Sequence, residues 1–310
     1  GHRVRSRLAL SLSKGFTLFS LVPFEYKKGS FLLSILFGLT SALTWGAADF
    51  CGGLASRKVK AYQVVLFGEA VGLAILLVAA IFSGEPPLSW SAWLMCSSAG
   101  CMGVLGLLLF FQAMAKGQMS VAAPVSALTA AILPVIAGSL LEGFPGWLTF
   151  IGFALALTAI WFISQPDGGP KSLRLRLADL RLPLIAGISF GVYLILIHRG
   201  SQNGLFWPMV SSRLAGVVTM MIYTLVTRQP FLPLKSIWPL LILNGVLDIS
   251  GNGLYILAGQ AGRMDVAAVL VSLYPASTVV LAGLFLHERL NRLQLAGILT
   301  ALAAIVLMTV

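Results

Sequence analysis

Of 310 residues, 58% are hydrophobic and only 10% charged, with a mean hydropathy of +0.94; a soluble domain keeps about a quarter of its residues charged, so a water-soluble globular fold is excluded. The 21 Lys+Arg exceed the 10 Asp+Glu, giving a net charge of +11, but these basic residues lie mostly in short connectors between apolar runs. That placement fits loops that set topology and touch anionic lipid, and it argues against nucleic acid as a partner.

Residues 1–29 form a basic leader in which Arg3, Arg5, Arg7, Lys14, Lys27 and Lys28 flank a weakly apolar middle. No small-residue cleavage site follows it, so it reads as a disordered cytoplasmic tail or a surface amphipathic segment. Apolar runs then follow one another, each near the 20 residues that cross about 30 Å of hydrocarbon. The first five spans are read at 30–50, 61–83, within 86–115, 119–141 and 146–164. A polar connector, 165–181, separates them from five more at 182–198, 205–227, 237–260, 266–286 and 293–310. Pro124, Pro134 and Pro275 each remove a backbone donor and are expected to bend the fourth and ninth spans. Cys51, Cys96 and Cys101 lie in or beside apolar segments without a CxxC pair. They support neither a disulfide scaffold nor a metal site.

The chain repeats itself. Sliding it so that Met119-Ser-Val-Ala-Ala meets Met264-Asp-Val-Ala-Ala also brings Ala137-Gly138 onto Ala282-Gly283 and Gly152 onto Gly297. The repeating units are 30–164 and 182–310, five spans each. An odd number of spans makes the second unit enter the membrane from the opposite side. The predicted fold class is therefore an all-α integral membrane protein: ten transmembrane helices as two inverted five-helix repeats. That plan recurs among secondary transporters, which bind solutes near the midplane between the halves.

Ionisable groups inside spans are costly and mark functional sites or ion pairs. Glu69, Arg213 and Asp248 are such groups, with Asp248 the first expected partner of Arg213 and Glu69 the second. Glu69 and Arg213 occupy nearly equivalent repeat positions, each followed three residues later by a glycine, Gly72 and Gly216. In the eighth span Asn244, Asp248, Asn252 and Tyr255 share one helical face. A polar stripe of this kind cannot face lipid, so it either joins helices or lines a wet pathway. Trp45 shares a face of the first span with Asp49, and Tyr193 and Tyr274 could supply aromatic walls. The candidate cavity residues are thus Trp45, Glu69, Tyr193, Arg213, Asn244, Asp248, Asn252, Tyr255 and Tyr274. Asp49 and Asp265 are read near helix ends, close to water, and His198 as reaching the interface. No nucleophile elbow, Walker A loop or HExxH pair occurs in the sequence, so neither ATP drive nor catalysis is indicated. No cofactor is called for.

Particular motifs carry a family resemblance. Ala113-Met-Ala-Lys-Gly, Val121-Ala-Ala-Pro124, Pro134 and Glu142 surround the fourth span. Val266-Ala-Ala, Leu273-Tyr-Pro275, His287-Glu288-Arg289-Leu290, Gln294 and Gly297 surround the ninth and tenth, and Leu43-Thr-Trp45-Gly46 lies in the first. Over 30–310 the chain resembles the EamA-like proteins of the drug/metabolite transporter superfamily. It departs from them at Glu142-Gly143, which lacks the following Arg-Leu, and in its basic leader. The resemblance implies a central cavity and non-ATP transport of small organic metabolites, often as efflux, with membrane lipid and a coupling ion as candidate partners. A bacterial or archaeal cytoplasmic membrane is the expected location. A lipid-linked substrate flippase of the same fold is the alternative reading, and a membrane enzyme the remoter one. Lys27, Lys28 and the resemblance place both termini in the cytoplasm. The connectors after odd-numbered spans, far richer in Lys and Arg than the others, point the other way.

Overall fold

The computed structural model describes residues 28–115, 119–163, 177–285 and 292–309. Most of the leader, most of the 165–181 connector and the His287-Glu288-Arg289-Leu290 motif lie outside the described residues. Those described form α1 (Lys28–Ser56), α2 (Ala61–Ser83), α3 (Trp90–Ala115), α4 (Met119–Leu141), α5 (Trp147–Ile163), α6 (Leu177–Gly200), α7 (Phe206–Val226), α8 (Trp238–Ala261), α9 (Met264–Val271), α10 (Tyr274–Phe285) and α11 (Arg292–Thr309). No strand occurs among the described residues. Among the described residues, six segments are long and apolar enough to cross a membrane, and four shorter apolar stretches, one of them running across the break between α9 and α10, bring the total to ten.

Large apolar side chains such as Phe82, Leu140, Val226 and Leu302 point outward. Small residues line the helix contacts. A Cβ on Gly100 of α3 would lie 1.9 Å from the Ser212 carbonyl oxygen of α7, and one on Gly46 of α1 would lie 1.7 Å from Ser277 Oγ of α10. Lipid tails are as apolar as leucine, so these helices associate through close packing and hydrogen bonds, which small residues allow.

The ninth span differs from its expected single helix. It breaks after Val271 and resumes at Tyr274. Pro275 has no N–H for the Val271 carbonyl, and its ring would crowd that group. The chain passes the break on tighter bonds, Leu273 N–H to Leu270 O at 3.2 Å and Ala276 N–H to Leu273 O at 2.9 Å. The first span runs on to Ser56 and the sixth begins at Leu177, both longer than their apolar runs suggest.

The two halves interleave. α1 packs on α8 and α3 on α6; α2 crosses α8 and α3 crosses α7; α4 meets α6 and α9 meets α1. Corresponding helices also pair directly, α2 with α7, α4 with α9 and α5 with α11. Exchanging the halves maps this set of contacts onto itself. In the loop after α2, the Glu85 carboxylate accepts the Leu205 and Phe206 N–H groups at 2.9 Å, capping α7 across the halves.

Candidate substrate cavity

Where α1, α2, α3 meet α6, α7, α8, the bundle encloses ionisable side chains. Arg213 on α7 donates through Nη1 to Glu69 of α2 and through Nη2 to Asp248 of α8. Its planar fork of N–H groups serves both carboxylates at once. Glu69 is 5% exposed and Arg213 6%. A lone charge at the centre of a spanning helix costs about 2.5–3.5 kcal/mol on insertion scales, so mutual pairing is what the bilayer demands of them. Both expected partners of Arg213 are therefore present, one from each half. Gly216 makes room for the bridge: a Cβ there would sit 2.5 Å from Glu69 Oε2.

A second network adjoins this bridge. Tyr193 of α6 donates to Asn252 Oδ1 of α8. Asn252 Nδ2 donates to the Asp248 carbonyl at 2.6 Å, and Trp45 Nε1 of α1 donates to the same carbonyl at 3.3 Å. The Tyr274 hydroxyl lies 3.4 Å from Ser126 Oγ of α4.

These groups wall a cavity of about 70 Å³. Of the residues singled out from sequence, Trp45, Glu69, Tyr193, Arg213, Asp248, Asn252 and Tyr274 line it. Asn244 lies outside it, beside a neighbouring void of about 10 Å³, and its Nδ2 ties α8 to the Ala48 carbonyl of α1 at 2.8 Å. Tyr255 is wholly buried; it donates to the Leu194 carbonyl at 3.0 Å and stacks on Trp45 with ring centroids 6.2 Å apart. It braces the cavity wall without reaching the space. Asp49, Gly100, Gly103, Leu107, Phe190 and Ser212 also line the cavity. Asp49 carried a usable signal, its i, i+4 relation to Trp45.

A separate polar cluster closes the end of the bundle where α4, α6 and α8 stop. Arg263 holds Asp265 through two bonds of 3.0 and 2.8 Å and reaches the Gly143 carbonyl at 2.7 Å. The Glu142 carboxylate accepts the Met264 N–H at 3.2 Å and lies 3.7 Å from His198 Nε2. Asp265 and His198, read from sequence as close to water, are both buried. Burial first, then the Asp265 charge, pushes the Glu142 carboxyl above its ordinary range, outweighing the Met264 N–H and nearby arginines. At the opposite end, Arg57, Lys58, Lys60, Tyr62, Tyr223 and Gln229 help to line an open recess of about 570 Å³.

A two-part bundle of apolar helices with ionisable groups held around a void between its parts defines a polytopic membrane protein of the transporter class. The chain belongs to the EamA-like transporter family, whose profile matches residues 32–165 and again 180–310. Members of that family are membrane transporters of the drug/metabolite type. An uncharacterized protein of Methanocaldococcus jannaschii is 25% identical over 129 residues, which is 94% of that relative and 42% of this chain. A solved crystal structure at 15% identity superposes with a TM-score of 0.72, covering 88% of this chain and 95% of the other, and so shares the fold.

Proposed function

We propose that this protein is a secondary transporter that exports small organic metabolites by alternating access, its two halves inverted about an axis in the membrane plane. The observation that carries the reading is the void of about 70 Å³ between the halves, walled by Trp45, Tyr193, Tyr274 and the Glu69–Arg213–Asp248 bridge. Sites for small molecules usually enclose about 300–1,000 Å³. The void therefore corresponds to a contracted conformer that has to widen around a solute. Three observations support the inverted arrangement: five spans per half, contacts that survive exchange of the halves, and a relative about one repeat long. The Arg263–Asp265–Glu142 cluster seals one end while a basic recess opens at the other. Rocking of one half on the other would exchange the sealed and open ends.

The test is a thermal-shift screen of purified protein in detergent against soluble metabolites and lipid-linked sugars, followed by counterflow of each hit in proteoliposomes. The reading predicts that soluble metabolites stabilise the protein and exchange across the vesicle membrane. Stabilisation by lipid-linked compounds alone, or hits without counterflow, would reject it.

A further inference from the structure

The charges around the cavity do not balance, and Asp49 makes the difference. One guanidinium faces three carboxylates. Arg213 is already committed to Glu69 and Asp248. Asp49 lies on the same wall, one helical turn beyond Trp45. Among the described residues its carboxylate has no hydrogen-bond or salt-bridge partner, and it shares the cavity wall with the two other carboxylates, Glu69 and Asp248. Unlike the bridge, this carboxylate faces the void without a counter-charge among the described residues.

The rest of the lining suits a cation as well. Trp45, Phe190, Tyr193 and Tyr274 surround the space with ring faces and edges. The Trp45 indole is fixed at its N–H by the Asp248 carbonyl and on its face by Tyr255, which limits its freedom to swing away. A cation set over such rings gains about 0.5–2 kcal/mol, most where water is excluded. An anion, by contrast, would have to break the buried Arg213 bridge to find a positive group, and would then face Asp49 and Asp248 together. The void of about 70 Å³ has room for an ammonium or amidinium head in the contracted state.

We propose that the transported solute is an organic cation, its charged head paired with Asp49 and its apolar body against Trp45 and Tyr274. This rests on the transporter reading above and adds the chemical class of the substrate.

Three aryl probes of similar size but different charge are compared: benzylammonium, benzyl alcohol and benzoate, titrated into purified protein by calorimetry and thermal shift. The account predicts that benzylammonium binds wild type, that Asp49→Asn weakens it at least tenfold, and that Asp49→Glu retains it. Ligand-free Asp49→Asn is predicted to be at least as stable as wild type, because the change removes an unpaired charge, and this serves as the folding control. Benzoate binding as tightly as benzylammonium, or benzylammonium binding Asp49→Asn as tightly as wild type, would overturn the proposal. So would an effect of Asp49→Asn confined to the pH dependence of stability with no benzylammonium binding, which would assign the site to a proton alone. Counterflow of a neutral or anionic metabolite without cation binding would defeat the cation assignment and leave the transporter reading standing. Failure of every class in counterflow would defeat both.

Discussion

Removing Arg213 tests whether the buried bridge holds the halves together. Arg213→Met keeps much of the side-chain length and deletes the charge, leaving Glu69 and Asp248 facing each other without a cation. Both carboxylates are in the low-dielectric interior, Glu69 with its side chain 6% exposed and Asp248 18%. Breaking a buried ion pair from one side costs about 3–5 kcal/mol because the surviving charge is stranded. For a large domain each kcal/mol moves the midpoint by about 2–4 °C, so a fall of order 10 °C follows. The triple variant Glu69→Gln/Arg213→Met/Asp248→Asn removes all three charges and keeps the shapes, and it should regain most of that loss. Buried Cys51 and Cys96 report unfolding through a thiol-reactive maleimide dye, with Cys101, which is exposed, replaced by serine. The reasoning fails if Arg213→Met melts within a degree of its parent, or if the triple variant is as unstable as the single one.

Other consequences are open to simpler assays. Glu85→Ala removes the acceptor for the Leu205, Phe206 and Trp207 N–H groups at the start of α7 and should lower stability by about 0.5–2 kcal/mol in the same melt, as loss of a cap does; an unchanged midpoint would mean that water replaces it. Because folding raises the Glu142 carboxyl above its ordinary 4.5, the folded chain holds the extra proton, and stability from that group falls as the pH climbs through the window above 4.5. Glu142→Gln should therefore gain on wild type with rising pH, and parallel melting curves would show that Glu142 is not coupled to folding. A cysteine placed in the 165–181 connector, on a background lacking the native three, should be labelled from outside intact cells if both termini are cytoplasmic; protection until lysis would mean that the connector charges set the orientation.

The ten spans were legible because each is an apolar run bounded by polar or charged connectors, including the four whose described helices are shorter than a full crossing. The Glu69–Arg213–Asp248 association was legible because isolated charges inside spans need partners. Three features escaped for physical reasons. Asp49 looked like a helix-end residue because the apolar run closes near Phe50, yet α1 continues through Gly52 and Gly53 to Ser56, carrying Asp49 inside. Gly52 is needed there for packing: a Cβ would fall 2.4 Å from Phe111 Cζ. The break in the ninth span escaped because the run 266–286 is uncharged throughout, so nothing in its polarity marks an interruption. Whether Pro275 bends a helix or interrupts it depends on α10 docking on α1, where Thr278 Oγ1 bonds the Gly46 carbonyl at 3.2 Å. His198 was read as reaching the interface, but Gly259 opposite leaves room for its ring, since a Cβ there would sit 2.4 Å from His198 Nδ1. Periodicity within one helix does not disclose the small residue on its neighbour.

Alternating access itself is tested without knowing the substrate. Ser212 lines the cavity and is 6% exposed. With Cys51, Cys96 and Cys101 replaced, Ser212→Cys can be challenged with a charged, membrane-impermeant methanethiosulfonate in right-side-out and in inverted vesicles. If the two halves rock about this cavity, the cysteine is modified from both faces of the membrane. Modification from one face only, at every temperature and time tried, would contradict the account.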